Sequence, residues 1–199
     1  MSSTLPSATG HGRAPTAVEL LERAIAYTRA SLVLVTETDL GRRTPCDGWA
    51  LRDLLTHMDD SLEAMAAAAQ ATSLSLVPSD PPADGVDLID SICRRACGLL
   101  GQWHPPRDGG VELGDLSLPR ELLGAVGALE IVLHGWDVAQ AIDHPRPIPG
   151  DLAMDLWPVA RDHITEADRP FRFGPPTEVP EWATPATRLL AHAGRSARW

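Results

Sequence analysis

Glu130 and His134 stand four residues apart inside the most apolar stretch of the chain, Leu122 to Ile142, with Asp137 three residues further on. At about 100° of helix per residue, positions four apart project from nearly the same face, so in a helix this carboxylate and imidazole converge. Burying such groups is costly unless they are paired, hydrogen-bonded or bound to a cation. The apolar surroundings argue against a solvated face and leave two readings, a buried polar network or a metal site. His57, beside Leu54 and Met58 at the edge of a second apolar stripe, offers a third donor. Two neutral imidazoles and a carboxylate from facing helices would leave positions on a divalent ion open to water or substrate. Zinc suits this set, and iron or nickel can be held by the same ligands. Asp53, one turn before His57, and Asp137, near His134, are candidates to hold an imidazole by its other ring nitrogen; each reads equally well as an ordinary surface charge.

The elements that must position these residues are helices, with almost no strand signal. Thr16 followed by Glu19 forms a capping box, and the stripe from Leu20 to Val35 carries a first helix to about Thr38. After the loop from Gly41 to Gly48, Asp47 is expected to cap a second helix whose stripe, Leu51 to Ala69, reaches about Thr72. Pro78, Pro81, Pro82 and Gly85 break the chain, and Asp84 is placed to cap a third helix ending near Trp103. A loop is expected from His104 to Leu116. Pro119 suits the first turn of a fourth helix, apolar all round and therefore central, which runs to about Ile142. A further helix is expected from Gly150 to Glu166, kinked or split at Pro158, then an extended crossing from Pro170 to Pro180. A last short helix opens at Thr184 and Pro185 and closes at Gly194. The fold class is therefore all-α, a four-helix bundle with a C-terminal extension of short helices and loops. The expected division is a flexible N-terminus over 1–15, a metal-binding bundle over 16–145 and an extension over 146–199 that packs on it.

Composition narrows the functions open to this arrangement. With 199 residues, 44% hydrophobic and 22% charged, the chain is long and apolar enough to fold independently. A formal net charge of -10 repels phosphate backbones and anionic membranes, which excludes nucleic acid as an expected partner. The N-terminal residues lack the continuous apolar run of a secretory signal, and the stretch around Glu130, His134 and Asp137 is too interrupted for a bilayer span, so a cytoplasmic protein is expected. Cys46, Cys93 and Cys97, odd in number and sparse, fit that compartment. Cys93 and Cys97 share a helix face and read first as small buried apolar residues, second as a metal or redox pair; Cys46 carries no assigned role.

Two segments carry a family resemblance. Thr44 to Met58, TPCDGWALRDLLTHM, resembles the entry into the second helix of the mycothiol-dependent maleylpyruvate isomerase-like proteins of the DinB-like superfamily, and Ala128 to Ala141, ALEIVLHGWDVAQA, is similar to their fourth-helix motif. The tail FGPPTEVPEWATPATRLLAHAGRSARW resembles the ending of an actinobacterial subgroup. The resemblance implies a DinB-like bundle with a divalent ion, commonly zinc, on His57, Glu130 and His134. It also implies a low-molecular-weight thiol such as mycothiol, acting in isomerisation or S-transfer on an electrophilic small molecule. A noncatalytic metal-binding or stress-response bundle, and a hydrolase that activates water at the metal, are the rival readings. Maleylpyruvate isomerase itself carries a second C-terminal domain that helps bind the dicarboxylate, whereas about fifty residues follow the fourth-helix motif here, so maleylpyruvate is not the expected substrate. Arg169 and Arg172 are the cations available for an acidic substrate, with a solvated surface as their other reading. Monomer and homodimer both remain open.

Overall fold

The computed structural model describes residues 13–69, 85–104, 110–113 and 116–196. Among them the chain forms an all-α DinB-like bundle with one small hairpin. Helix α1 spans Ala17–Leu32 and opens on the expected capping box, the Thr16 hydroxyl accepting from the Glu19 N–H while the Glu19 carboxylate accepts from the Thr16 N–H. It stops short of the expected Thr38. Thr36 and Asp39 make a second reciprocal cap that starts a separate 3-10 turn at Glu37–Asp39, and a chain committed to that turn cannot also continue α1.

Helix α2 spans Leu51–Ala69, and its start corrects the expected Asp47 cap. The Asp53 carboxylate accepts the Ala50 N–H at 2.9 Å, which satisfies a free donor of the first turn from inside the helix. The expected last turn to Thr72 and the Asp84 cap lie outside the described residues, as does most of the N-terminal segment expected to be flexible. Helix α3 spans Gly85–Trp103. The expected loop after it is in part a hairpin: strand β1, Gly110–Leu113, pairs antiparallel with strand β2, Leu116–Pro119.

Helix α4, Arg120–Ala141, is buried along most of its length. By length and composition it could cross a membrane, yet 72% of its most apolar window is buried inside the fold. Its neighbours are α1 and α2, while α3 packs on α2 and α1, so the four helices close a ring. Gly135 permits the closest approach of α1, since a Cβ there would lie 2.2 Å from the Thr28 hydroxyl oxygen.

Helix α5 spans Gly150–His163 and carries Pro158 within it, and a 3-10 turn follows at Glu166–Asp168. Helix α5 is thus one helix, shorter than the expected run to Glu166 and not divided at the proline. Helix α6, Pro185–His192, is capped by Thr184 and followed by Gly194 in the left-handed region at φ 74°. Leu152, Ala153 and Leu156 of α5 and Leu189 and Leu190 of α6 belong to the same buried core as the ring of helices.

Candidate metal centre

Helix α4 presents Glu130, His134 and Asp137 along one stripe, and α2 brings His57 to meet them. Leu54, Leu55 and Met58 are buried, which fixes the rotation of α2 and turns the half-buried His57 toward α4. His57 Nε2 lies 3.2 Å from Glu130 Oε1, and His134 Nε2 lies 3.2 Å from the same oxygen. One donor atom from each of the three residues falls within 4.8 Å of the others. The two imidazole rings stand edge to face with centroids 5.0 Å apart, and Trp49 also packs edge-on with His57 at 5.0 Å.

Behind His134 lies a second layer of bonds. His134 Nδ1 is 3.0 Å from Asp137 Oδ2, and Arg195, from the segment after α6, donates to both oxygens of Asp137 at 2.9 and 2.7 Å. The Cys46 thiol donates to the same carboxylate at 3.4 Å. Asp137 is fully buried, and burial alone would raise its pKa; the Arg195 guanidinium outweighs this and, with His134, holds it near 2. The ionised Asp137 accepts a hydrogen bond from Nδ1–H of His134, which leaves Nε2 facing Glu130, donating to it when the ring is charged and free to act as a ligand when the ring is neutral.

Burial would also raise Glu130, but its hydrogen bonds with His134 and His57 hold the carboxyl well below the usual range. For His134 burial acts downward and is outweighed by Asp137, Cys46 and Glu130, so the ring is driven toward its charged form. Two nitrogens and a carboxylate oxygen thus converge on a point that calls for positive charge, which a proton or a divalent cation can supply. The donor set fits a metal: borderline nitrogen ligands, one hard anionic oxygen, and a fixed tautomer on His134. Cys46, His134 and Asp137 form a second group of donors within 4.8 Å. There the guanidinium of Arg195 already neutralises Asp137, so an added cation would face a like charge.

Asp53, expected beside an imidazole, is instead engaged at the start of α2, so His57 is held by Trp49 and by Ser61, whose hydroxyl is 3.5 Å from Nε2. Arg169 is a buried structural residue bonded to the carbonyls of Gly174 and His192, whereas Arg172 is exposed and lines the site. Sequence reasoning missed Arg195, Cys46 and Trp49. The loop before α2 carries the last two: the Thr44 hydroxyl donates to the Trp49 carbonyl at 3.0 Å and accepts from the Cys46 N–H at 3.2 Å, and Gly48 takes a positive φ of 78° to close the turn.

Above the donors lies an open cavity of about 390 Å³, walled by that loop, by Phe171, Arg172 and Phe173, and by Arg195. The C-terminal extension therefore completes the site. No solved structure matches the chain. Two curated proteins, one in each of two strains of Mycobacterium tuberculosis and both described as uncharacterized, are 26% identical over 187 residues, covering 89% of this chain and 96% of their own length. The family model of the mycothiol maleylpyruvate isomerase N-terminal domain matches residues 21–139, the span that contains α2, all but the end of α4, and all three candidate ligands. On that match the chain belongs to the mycothiol maleylpyruvate isomerase N-terminal domain family.

Proposed function

We propose that this protein holds one divalent metal ion on His57, Glu130 and His134 and works as a mycothiol-dependent S-transferase or isomerase on an electrophilic small molecule. The observation that carries this reading is the convergence of three donor atoms within 4.8 Å at the floor of an open cavity. When bound, a divalent ion, with zinc favoured, supplies Lewis acidity that stabilises a thiolate relative to its thiol near neutral pH. The chain's own residues do the rest. Glu130 provides the anionic donor, and Asp137 fixes the ring of His134 through Nδ1. Arg195 keeps Asp137 ionised, so that it accepts the hydrogen bond from His134 Nδ1–H and leaves the proton on the ring. The cavity lies within the range of small-molecule sites, roughly 300 to 1,000 Å³, and its wall of Trp49, Phe171, Arg172 and Cys46 offers both apolar and polar contacts. In this reading residues 16–145 form the metal-binding bundle, 146–199 the extension that covers the site, and the reaction belongs to the cytoplasm, where low-molecular-weight thiols are held reduced.

Metal analysis followed by thiol titration tests the reading. Purified protein should carry about one zinc per chain, and His134→Ala should lose it. Mycothiol should bind the metal-loaded protein and not the apoprotein, with proton release, because the thiolate is the species held. Equal thiol binding with and without metal would remove the thiol from the function, and full metal content in His134→Ala would remove the site.

A further inference from the structure

Inside the ring of α1, α2, α3 and α4 lies a second cavity of about 180 Å³, separate from the one above the donors. Ile25, Leu62, Ile92 and Ile131 face it from the four helices, and Met58 and Met65 add flexible, polarisable walls. At one end it reaches Glu130 and Ser61, and the Ser61 hydroxyl is 3.5 Å from His57 Nε2. Toward the surface it reaches the exposed residues Arg29 and Cys97. Glu130 lines both cavities, whereas His57 and His134 line only the one above the donors. The candidate metal centre thus stands at the partition between a mixed polar chamber and an apolar one.

Ligand sites are concave and mostly apolar with a few polar groups, and this cavity has that composition. An apolar cavity that reaches the surface at one end and Glu130 at the other is therefore accessible to a small apolar ligand. An apolar cavity of about 150 Å³ is enough to admit benzene. The Thr28 hydroxyl at its wall already donates to the Ile131 carbonyl at 2.8 Å, so this group asks nothing of a ligand. We infer that the interhelical cavity binds the apolar body of the electrophilic substrate, a neutral single ring or branched aliphatic group of about six to eight non-hydrogen atoms. Its reactive end lies against Glu130 and Ser61, while the polar thiol occupies the open chamber. This assignment deepens the proposed function and rests on it for the events at Glu130, but binding in the apolar chamber can be read independently.

The test uses toluene as an unreactive probe with the zinc-loaded full chain, followed through the methyl resonances of Met58 and Met65. Toluene should bind saturably, shift both resonances, and keep its affinity when mycothiol is saturating. Ala96→Leu places a larger side chain in the cavity wall and should weaken toluene at least about tenfold, leaving zinc content and mycothiol binding intact. Cys93→Leu, in the same wall but only half-buried, gives the same reading if Ala96→Leu fails to fold. Toluene that does not bind, that binds both filled variants as well as the natural chain, or that competes with mycothiol would overturn the inference. Loss of zinc or thiol binding in the natural chain alongside normal toluene binding would sink the proposed function and leave the cavity assignment standing.

Discussion

Glu130 and Asp137 share one stripe of α4 but meet different demands, and their isosteric amides should separate them. Glu130 is half-buried and faces two imidazole nitrogens, so Glu130→Gln removes the anionic donor and should abolish most metal retention. Asp137 acts through His134 and is bound by Arg195. Asp137→Asn should lower metal affinity by only about 10 to 100-fold, the usual range for groups that orient a ligand. It should also destabilise the fold by about 3 to 5 kcal/mol, because Arg195 is then a buried charge without its partner. Metal affinity and denaturant midpoint measured on both variants give the pattern; complete metal loss in Asp137→Asn with retention in Glu130→Gln would reverse the two roles. Of this network, Glu130, His134 and Asp137 were legible in the sequence because one helix carries them at fixed angular spacing, and His57 because it sits at the edge of an apolar stripe. Arg195 was not, since its partner lies 58 residues away and only tertiary packing joins them.

At the scale of elements, α4 is placed by its glycines as much as by its large apolar residues. A Cβ at Gly135 would lie 2.8 Å from the Thr28 Cβ and 3.0 Å from its Cα, so α1 would have to move away. Gly135→Ala should therefore cost about 1 to 3 kcal/mol of stability by overpacking. Gly98, exposed on α3 with nothing within 4 Å of its would-be Cβ, is the control. There alanine should stabilise by about 0.5 to 1 kcal/mol through helix propensity and the unfolded chain. Urea midpoints of the two variants moving in the same direction would contradict the packing argument. The helices themselves were legible because their apolar periodicity is long and their caps are written in the sequence, as at Thr16 and Thr184. The hairpin was not read, although Val111, Leu113, Leu116 and Leu118 alternate around Gly114 and Asp115, because four-residue strands give little periodicity to count. The overrun of α1 has a similar source: Leu32 and Val35 fit the stripe, and the Thr36 and Asp39 pair that ends it is a short-range bond that periodicity does not weigh.

The whole molecule is held together by ties between the bundle and the segments after it, and Tyr27 makes one that can be observed in isolation. It is the chain's single tyrosine; its ring is buried in α1 and its hydroxyl donates to the Arg146 carbonyl at 2.8 Å, joining the bundle to the segment between α4 and α5. Burial is the dominant influence on this phenol and pushes its pKa well above the ordinary value near 10, with Arg146 pulling the other way and Asp137 adding to the rise. In the unfolded chain the phenol ionises with a pKa near 10, while in the folded protein it stays protonated. Its contribution is thus fully present below pH 10 and is lost as pH climbs toward the folded value, by about 1.4 kcal/mol for each pH unit in that interval. The phenolate absorbance of the natural protein should therefore remain absent above pH 10 until the chain unfolds, and should then appear together with the loss of helical circular dichroism. Tyr27→Phe should lose about 1 kcal/mol at neutral pH with its hydrogen bond. It should then fall less steeply in alkali, so the two stability curves converge as pH rises. Phenolate that appears at pH 10 with the helices intact would mean that Tyr27 is open to solvent and that this tie does not hold.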